Sequence, residues 1–234
     1  MTPLRLAAIL AAMLLGLSVG AYTQSAAAGP LSAAAAAGDV PSVRSILQAG
    51  TDPNTPDGPR QSRPLSQAAR SAAVETMAVL VASGADPNLP DRGGNRWVPL
   101  MHAVHKRQIP AVAFLLTHGA RPDGPPGLSY TPLMMAVASG QADVARLLLT
   151  RGADVRHRLA DGSTIVALAV SGGAFTDLDE PLLGRCHLET VRLVAEAAPD
   201  LGLGRSPRAA LARFFAGLNG CQQALALVDR VEVR

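Results

Sequence analysis

His102 and His105 stand three apart in the stretch Pro99-Leu100-Met101-His102-Ala103-Val104-His105. On a helix that spacing puts two imidazoles on one face, where they could share a divalent metal. A third ligand is not evident, because His118 belongs to the loop end of the same segment, so no metal is expected. Asp177-Leu178-Asp179-Glu180 opens like a calcium loop but lacks its central glycine and closing glutamate, and it reads as a solvated acidic loop. Together with His187 these carboxylates mark the one place where an enzyme could be sited, between residues 172 and 187. Carboxylates with neither a paired base nor a pocket are thin ground for catalysis. The chain has no Gly-rich phosphate loop, no Gly-x-Ser-x-Gly, no His-Glu-x-x-His and no Cys-x-x-Cys. The expectation is no catalytic residue, no cofactor and no enzyme.

The charge balance removes a second class. Twenty-one basic residues are scattered among 18 acidic ones and form no dense run, so the formal charge of +3 does not indicate nucleic acid. Hydrophobic residues make up 48% of the 234 and aromatics only 3%, with Ala, Leu, Val and Gly abundant. That composition suits close-packed short helices better than β-sheets.

The first residues read as an address. Arg5 is followed by an apolar run, Leu6 to Leu17, and by small residues at Ser18 to Ala21, the pattern of a secretory signal peptide over 1–28. Val19-Gly20-Ala21 and Ala26-Ala27-Ala28 both offer cleavage sites, placing the mature start between Tyr22 and Gly29. The run is short for a membrane span, so the mature chain is expected to have none, although an uncleaved anchor is the alternative. Export would place the protein in the periplasm or outside a Gram-negative cell. Cys186 and Cys221 would there sit in an oxidising compartment, either as a disulfide or as two separately buried thiols.

The elements that position these residues repeat. Gly50-Thr51-Asp52, Gly84-Ala85-Asp86, Gly119-Ala120-Arg121 and Gly152-Ala153-Asp154 recur at spacings of 34, 35 and 33 residues. Pro64-Leu65, Pro99-Leu100 and Pro132-Leu133 recur in nearly constant phase with them. A period near 33 points to a solenoid. Each Pro-Leu opens a short Ala-rich helix, a polar break such as Ser139-Gly140-Gln141 follows, and a longer helix ends at the Gly. The pairs Ile46/Leu47, Leu80/Val81, Leu115/Leu116 and Leu148/Leu149 precede each Gly and are expected to form the core stripe. The Gly suits a left-handed C-cap, and the Pro a first helical turn.

Tyr130-Thr131-Pro132-Leu133-Met134-Met135-Ala136, Ala142-Asp143-Val144-Ala145-Arg146-Leu147-Leu148-Leu149 and Gly152-Ala153-Asp154-Val155 resemble the ankyrin-repeat family, and similar text covers Leu31 to Asp161. The resemblance implies an all-α ankyrin solenoid of stacked helix pairs with projecting hairpin-like loops, each pair burying its apolar face on its neighbours. About five repeats are expected, at 31–57, 58–91, 92–123, 124–161 and 162–203, followed by a C-terminal capping helix pair at 204–234. Leu31 to Gly38 reads as an opening cap built from an incomplete repeat. Leu211, Phe214, Phe215 and Leu218 are expected to form one apolar face of the closing cap. The fifth repeat carries an insertion at 172–184, either a spacer or a recognition loop. Aligning Arg192-Leu193-Val194 with Ala226-Leu227-Val228 sets Cys186 opposite Gly220 and His187 opposite Cys221, nearly in register for a bridge. Where the family carries a loop-linking His after Thr-Pro-Leu, this chain has Ser66, Met101, Met134 and Ala167, which leaves fewer polar bridges between loops.

The family reads partners with loop tips and with exposed residues at the end of each first helix. Carried over residue by residue, the loop row is Ser62, Trp97, Tyr130 and Ser163, holding the sole Trp and one of two Tyr. Basic side chains gather beside it: Arg60, Arg92 and Arg96 in the loops, Arg70, His105 and Lys106 at the helix ends. The expected partner-binding set is Arg60, Arg70, Arg96, Trp97, His105, Lys106 and Tyr130, facing a protein with an acidic surface. The expected role is a monomeric, exported interaction module, a scaffold or chaperone-like partner of an envelope protein. The alternative is an immunity or inhibitor protein that neutralises a toxin or enzyme.

Overall fold

The computed structural model describes residues 29–93, 96–171, 187–204, 209–210, 212–214, 222–224 and 226–227, without the side chain of Arg60. The leader expected at 1–28, the insertion at 172–184, Cys186, Cys221, Leu211, Phe215 and Leu218 lie outside the described residues. All regular structure among the described residues is helical, in two compact units divided at Pro99 and Leu100. None of these helices is long and apolar enough to cross a membrane.

The first unit holds two helix pairs, α1 (Pro30–Ala37) with α2 (Val40–Gln48) and α3 (Pro64–Arg70) with α4 (Val74–Ala82). First helix packs on first helix, α1 on α3, and second on second, α2 on α4. Leu31, Ala35, Val43, Leu65, Ala68, Met77 and Leu80 fill the space between them. The opening repeat is therefore a complete pair, against the expectation of an incomplete one. Pro30-Leu31 stands 34 residues before Pro64-Leu65 and is the same signature.

The second unit runs from α5 (Pro99–His105), whose first residue closes the other unit, through α6 (Ile109–Thr117), α7 (Pro132–Ala138), α8 (Ala142–Thr150) and α9 (Ile165–Ser171) to α10 (Leu188–Ala197). Here α7 packs on α8 and α9, α9 on α10, and α6, α8 and α10 stack in a second row. Every residue of α7 and of α9 is buried, which is why Met-Met-Ala-Val-Ala and Ile-Val-Ala-Leu-Ala-Val carry no polar face. Leu80, Leu115 and Leu148 are fully buried as the expected stripe requires, whereas Ile46 and the second member of each pair are half-buried. Among the described residues of the closing segment Ala209, Ala212 and Ala224 are buried and Phe214 is 61% exposed, so Phe214 does not belong to the apolar face expected of it.

Two left-handed positions recur in the first four repeats. Gly50, Gly84, Gly119 and Gly152 end the second helices at φ between 84° and 93°, as their spacing predicts. The turn between first and second helix makes the same demand at Gly38 and Gly140, but Ala72 and Arg107 occupy its other two copies at φ 55° and 56°. A side chain there costs about 1–2 kcal/mol. Ala72→Gly and Arg107→Gly are each expected to raise stability by about 0.5–1 kcal/mol once the extra freedom of an unfolded glycine is subtracted, read as an upward shift of the thermal midpoint.

Candidate protein-binding surface

The entrances of the first helices α1, α3, α7 and α9 are capped in two ways, and the caps fix the loops. Thr131 Oγ1 accepts the Met134 N–H at 3.3 Å and Thr164 Oγ1 the Ala167 N–H at 3.2 Å, so α7 and α9 cap themselves. Gly29 and Arg63 offer α1 and α3 no side-chain cap. For those helices a carboxylate arrives from the hairpin that follows. Asp57 accepts the N–H groups of Leu31 at 3.2 Å and Ser32 at 3.3 Å, and Asp91 accepts the Arg63 N–H at 2.9 Å and the Ser66 hydroxyl at 2.8 Å. The corresponding positions in the later loops are Pro126 and Leu159, which have no carboxylate to give. Ser66, counted in the sequence among the lost bridging positions, thus keeps a polar bridge, while Met101, Met134 and Ala167 are buried in the core.

Loops are also tied to one another. Asn54 donates to the Gly84 carbonyl and accepts the Asp86 N–H, each at 2.9 Å, and Asp123 accepts the Asp154 N–H at 2.8 Å. Arg156, at the same place in its loop, instead grips Asp200 through two hydrogen bonds of 2.6 and 2.8 Å. That hydrogen bond to the guanidinium holds the Asp200 carboxyl below its ordinary range.

On this frame the hairpins of the first unit carry Arg92, Arg96 and Trp97. The Asp91 N–H donates to the Trp97 carbonyl at 2.9 Å and closes the second hairpin, and the Arg92 N–H donates to the Gln61 carbonyl at 3.0 Å and ties it to the first. Arg92 and Arg96 are exposed and Trp97 is half-buried. Arg96 adopts φ 52°, a left-handed conformation held by that closed loop. Arg60 lies on the 3-10 turn Pro59–Gln61, and Arg70 is half-buried at the end of α3. In the second unit Lys106 is exposed at the end of α5, with His105 and Tyr130 half-buried. The outer members of the loop row, Ser62 and Ser163, are buried and serve as hairpin closures, their carbonyls accepting the N–H groups of Gly58 and Leu159.

Other chemistries find little support. His102 is buried in α5, and His118 stacks on Phe114 at 3.9 Å and bonds its carbonyl at 2.8 Å. Among the described residues no three His, Cys, Asp or Glu side chains gather as metal ligands would. A groove of about 220 Å³ between α2 and α4, lined by Arg44, Leu47, Thr51 and Val79, is smaller than ordinary small-molecule sites of about 300–1,000 Å³.

Helix pairs at a 33-to-35-residue period, the first four closed by a left-handed glycine and joined by hairpins, define a repeat protein that presents loops on its surface. The chain belongs to the ankyrin-repeat family, whose three-copy model matches residues 31–124 and 65–158, together more than half of its length. Its structure is similar to the crystal structure of an ankyrin repeat domain from Acinetobacter baumannii AYE, with a TM-score of 0.69 and 23% identity over 87% of this chain and 97% of that one. No curated protein matches the sequence. Ankyrin repeats are protein–protein interaction modules, and binding another protein is the function this fold carries.

Proposed function

We propose that the protein is an exported, periplasmic interaction module that binds an acidic surface of an envelope protein as its scaffold or chaperone-like partner. The observation that carries the reading is the second hairpin, where exposed Arg92 and Arg96 flank half-buried Trp97 on a backbone fixed by the Asp91–Trp97 and Arg92–Gln61 hydrogen bonds. An aromatic grouped with guanidinium side chains is the composition of an interface hot spot, and backbone already tied at Asp91, Arg92 and Trp97 has less entropy to lose on binding. Lys106, His105 and Tyr130 supply a second group of the same character on the other unit. The leader pattern of residues 1–28 supports export.

The test is affinity capture from an envelope extract with the wild-type chain and with Trp97→Ala and Tyr130→Ala. Each substitution is expected to weaken capture of the same partner by about 30-fold, the equivalent of a hot-spot loss of about 2 kcal/mol, while helical content is unchanged. Equal capture by all three proteins rules out both groups. Capture of a toxin in place of a resident envelope protein makes the inhibitor reading the right one.

A further inference from the structure

Gly29, the residue before α1, is fixed by a single neighbour. Its N–H donates to the Asp57 carbonyl, while the Asp57 carboxylate receives the Leu31 and Ser32 N–H groups and the Ser32 hydroxyl. A Cβ added to Gly29 would overlap Oδ2, Cγ and Cβ of Asp57. The φ of Gly29 is −63°, open to any residue, so glycine is required here by space. The carboxylate thus lies directly against the backbone of residue 29. Immediately upstream the sequence reads Ala26-Ala27-Ala28, with small residues one and three positions before Gly29, as signal peptidase requires.

We propose that the leader is removed by hydrolysis of the Ala28–Gly29 bond and that Asp57 then binds the new α-ammonium of Gly29. The proposal rests on the exported reading above. In the step, water adds its hydroxyl to the Ala28 carbonyl carbon and the C–N bond breaks, leaving a carboxylate on Ala28. The Gly29 nitrogen leaves with the hydrogen and takes up a further proton, because an α-amine with an ordinary pKa of about 7.7–8.0 is mostly charged at neutral pH. Before cleavage residue 29 has one N–H, already used on the Asp57 carbonyl. Afterwards it has three donors and a positive charge, enough for carbonyl and carboxylate together, and charge-assisted bonds are the stronger kind. A cation at a helix start is disfavoured by the peptide dipoles, and the Asp57 carboxylate offsets that cost. Cleavage after Ala21 would instead leave residues 22–28 between the amine and Asp57.

The experiment produces the full chain with its own leader in a Gram-negative host and measures the intact mass of the envelope-fraction protein, expected to begin at Gly29. The purified product is then acetylated selectively at its α-amine. The midpoint of thermal unfolding is expected to fall by about 2–4 °C in the wild type and to stay unchanged in Asp57→Asn, where the charge partner is gone. An envelope product beginning at Tyr22, or an equal acetylation effect in both proteins, overturns this inference and leaves export standing. A full-length chain confined to the cytoplasm overturns both.

Discussion

Leu133→Ala is expected to lower the stability of the chain by about 2–5 kcal/mol, against the roughly 5–15 kcal/mol that a folded domain has in total. Leu133 is the second residue of α7, fully buried within a helix whose every residue is buried, with α8 and α9 packed against it. Alanine is the better helix former, so helix propensity does not contribute to the loss. What is lost is the transfer of the side chain from water and the contacts around the hole it leaves. The urea midpoint reports the change, and Leu133→Met, which keeps the volume, is expected to cost less than about 1.5 kcal/mol.

Asp91→Ala is expected to cost about 2–4 kcal/mol, unusually much for one polar residue. Asp91 is 4% exposed, and its removal strands the Arg63 N–H at the start of α3 and the fully buried Ser66 hydroxyl. Asp91→Asn keeps an acceptor oxygen and is expected to lose about half as much. Pairing Asp91→Ala with Ser66→Ala in a double-mutant cycle checks the mechanism, since the two losses are expected to overlap by about 1 kcal/mol or more. Strict additivity would mean that the Asp91–Ser66 bond contributes nothing.

Much of this architecture is legible in the residue order because its causes are local. A left-handed turn selects glycine at 50, 84, 119 and 152, the missing N–H of proline suits a first helical turn, and the 3.6-residue period exposes Leu80, Leu115 and Leu148 as core. The caps of α1 and α3 are not legible in the same way, because Asp57 and Asp91 lie 25 to 28 residues beyond the groups they satisfy. Phe214 shows the opposite failure: periodicity alone assigned it to a buried face, although the described neighbours that are buried are Ala209 and Ala212. At the proposed binding surface the sequence names the tip residues, but the Asp91–Trp97 hydrogen bond and the left-handed Arg96 are visible only in three dimensions.

The carboxylates that arrive from the following hairpin bear on how this chain can be cut and rejoined. A truncation or graft made at Gly50 or Gly84, where the sequence motif invites the scissors, would part α1 from Asp57 or α3 from Asp91. Joins placed after Asp57 and after Asp91 keep each helix with the residue that seals it. The piece that can be transplanted is therefore offset from the piece that recurs in the sequence, and a shuffled library built on the wrong phase would lose its members to open helix ends before any partner was offered to them.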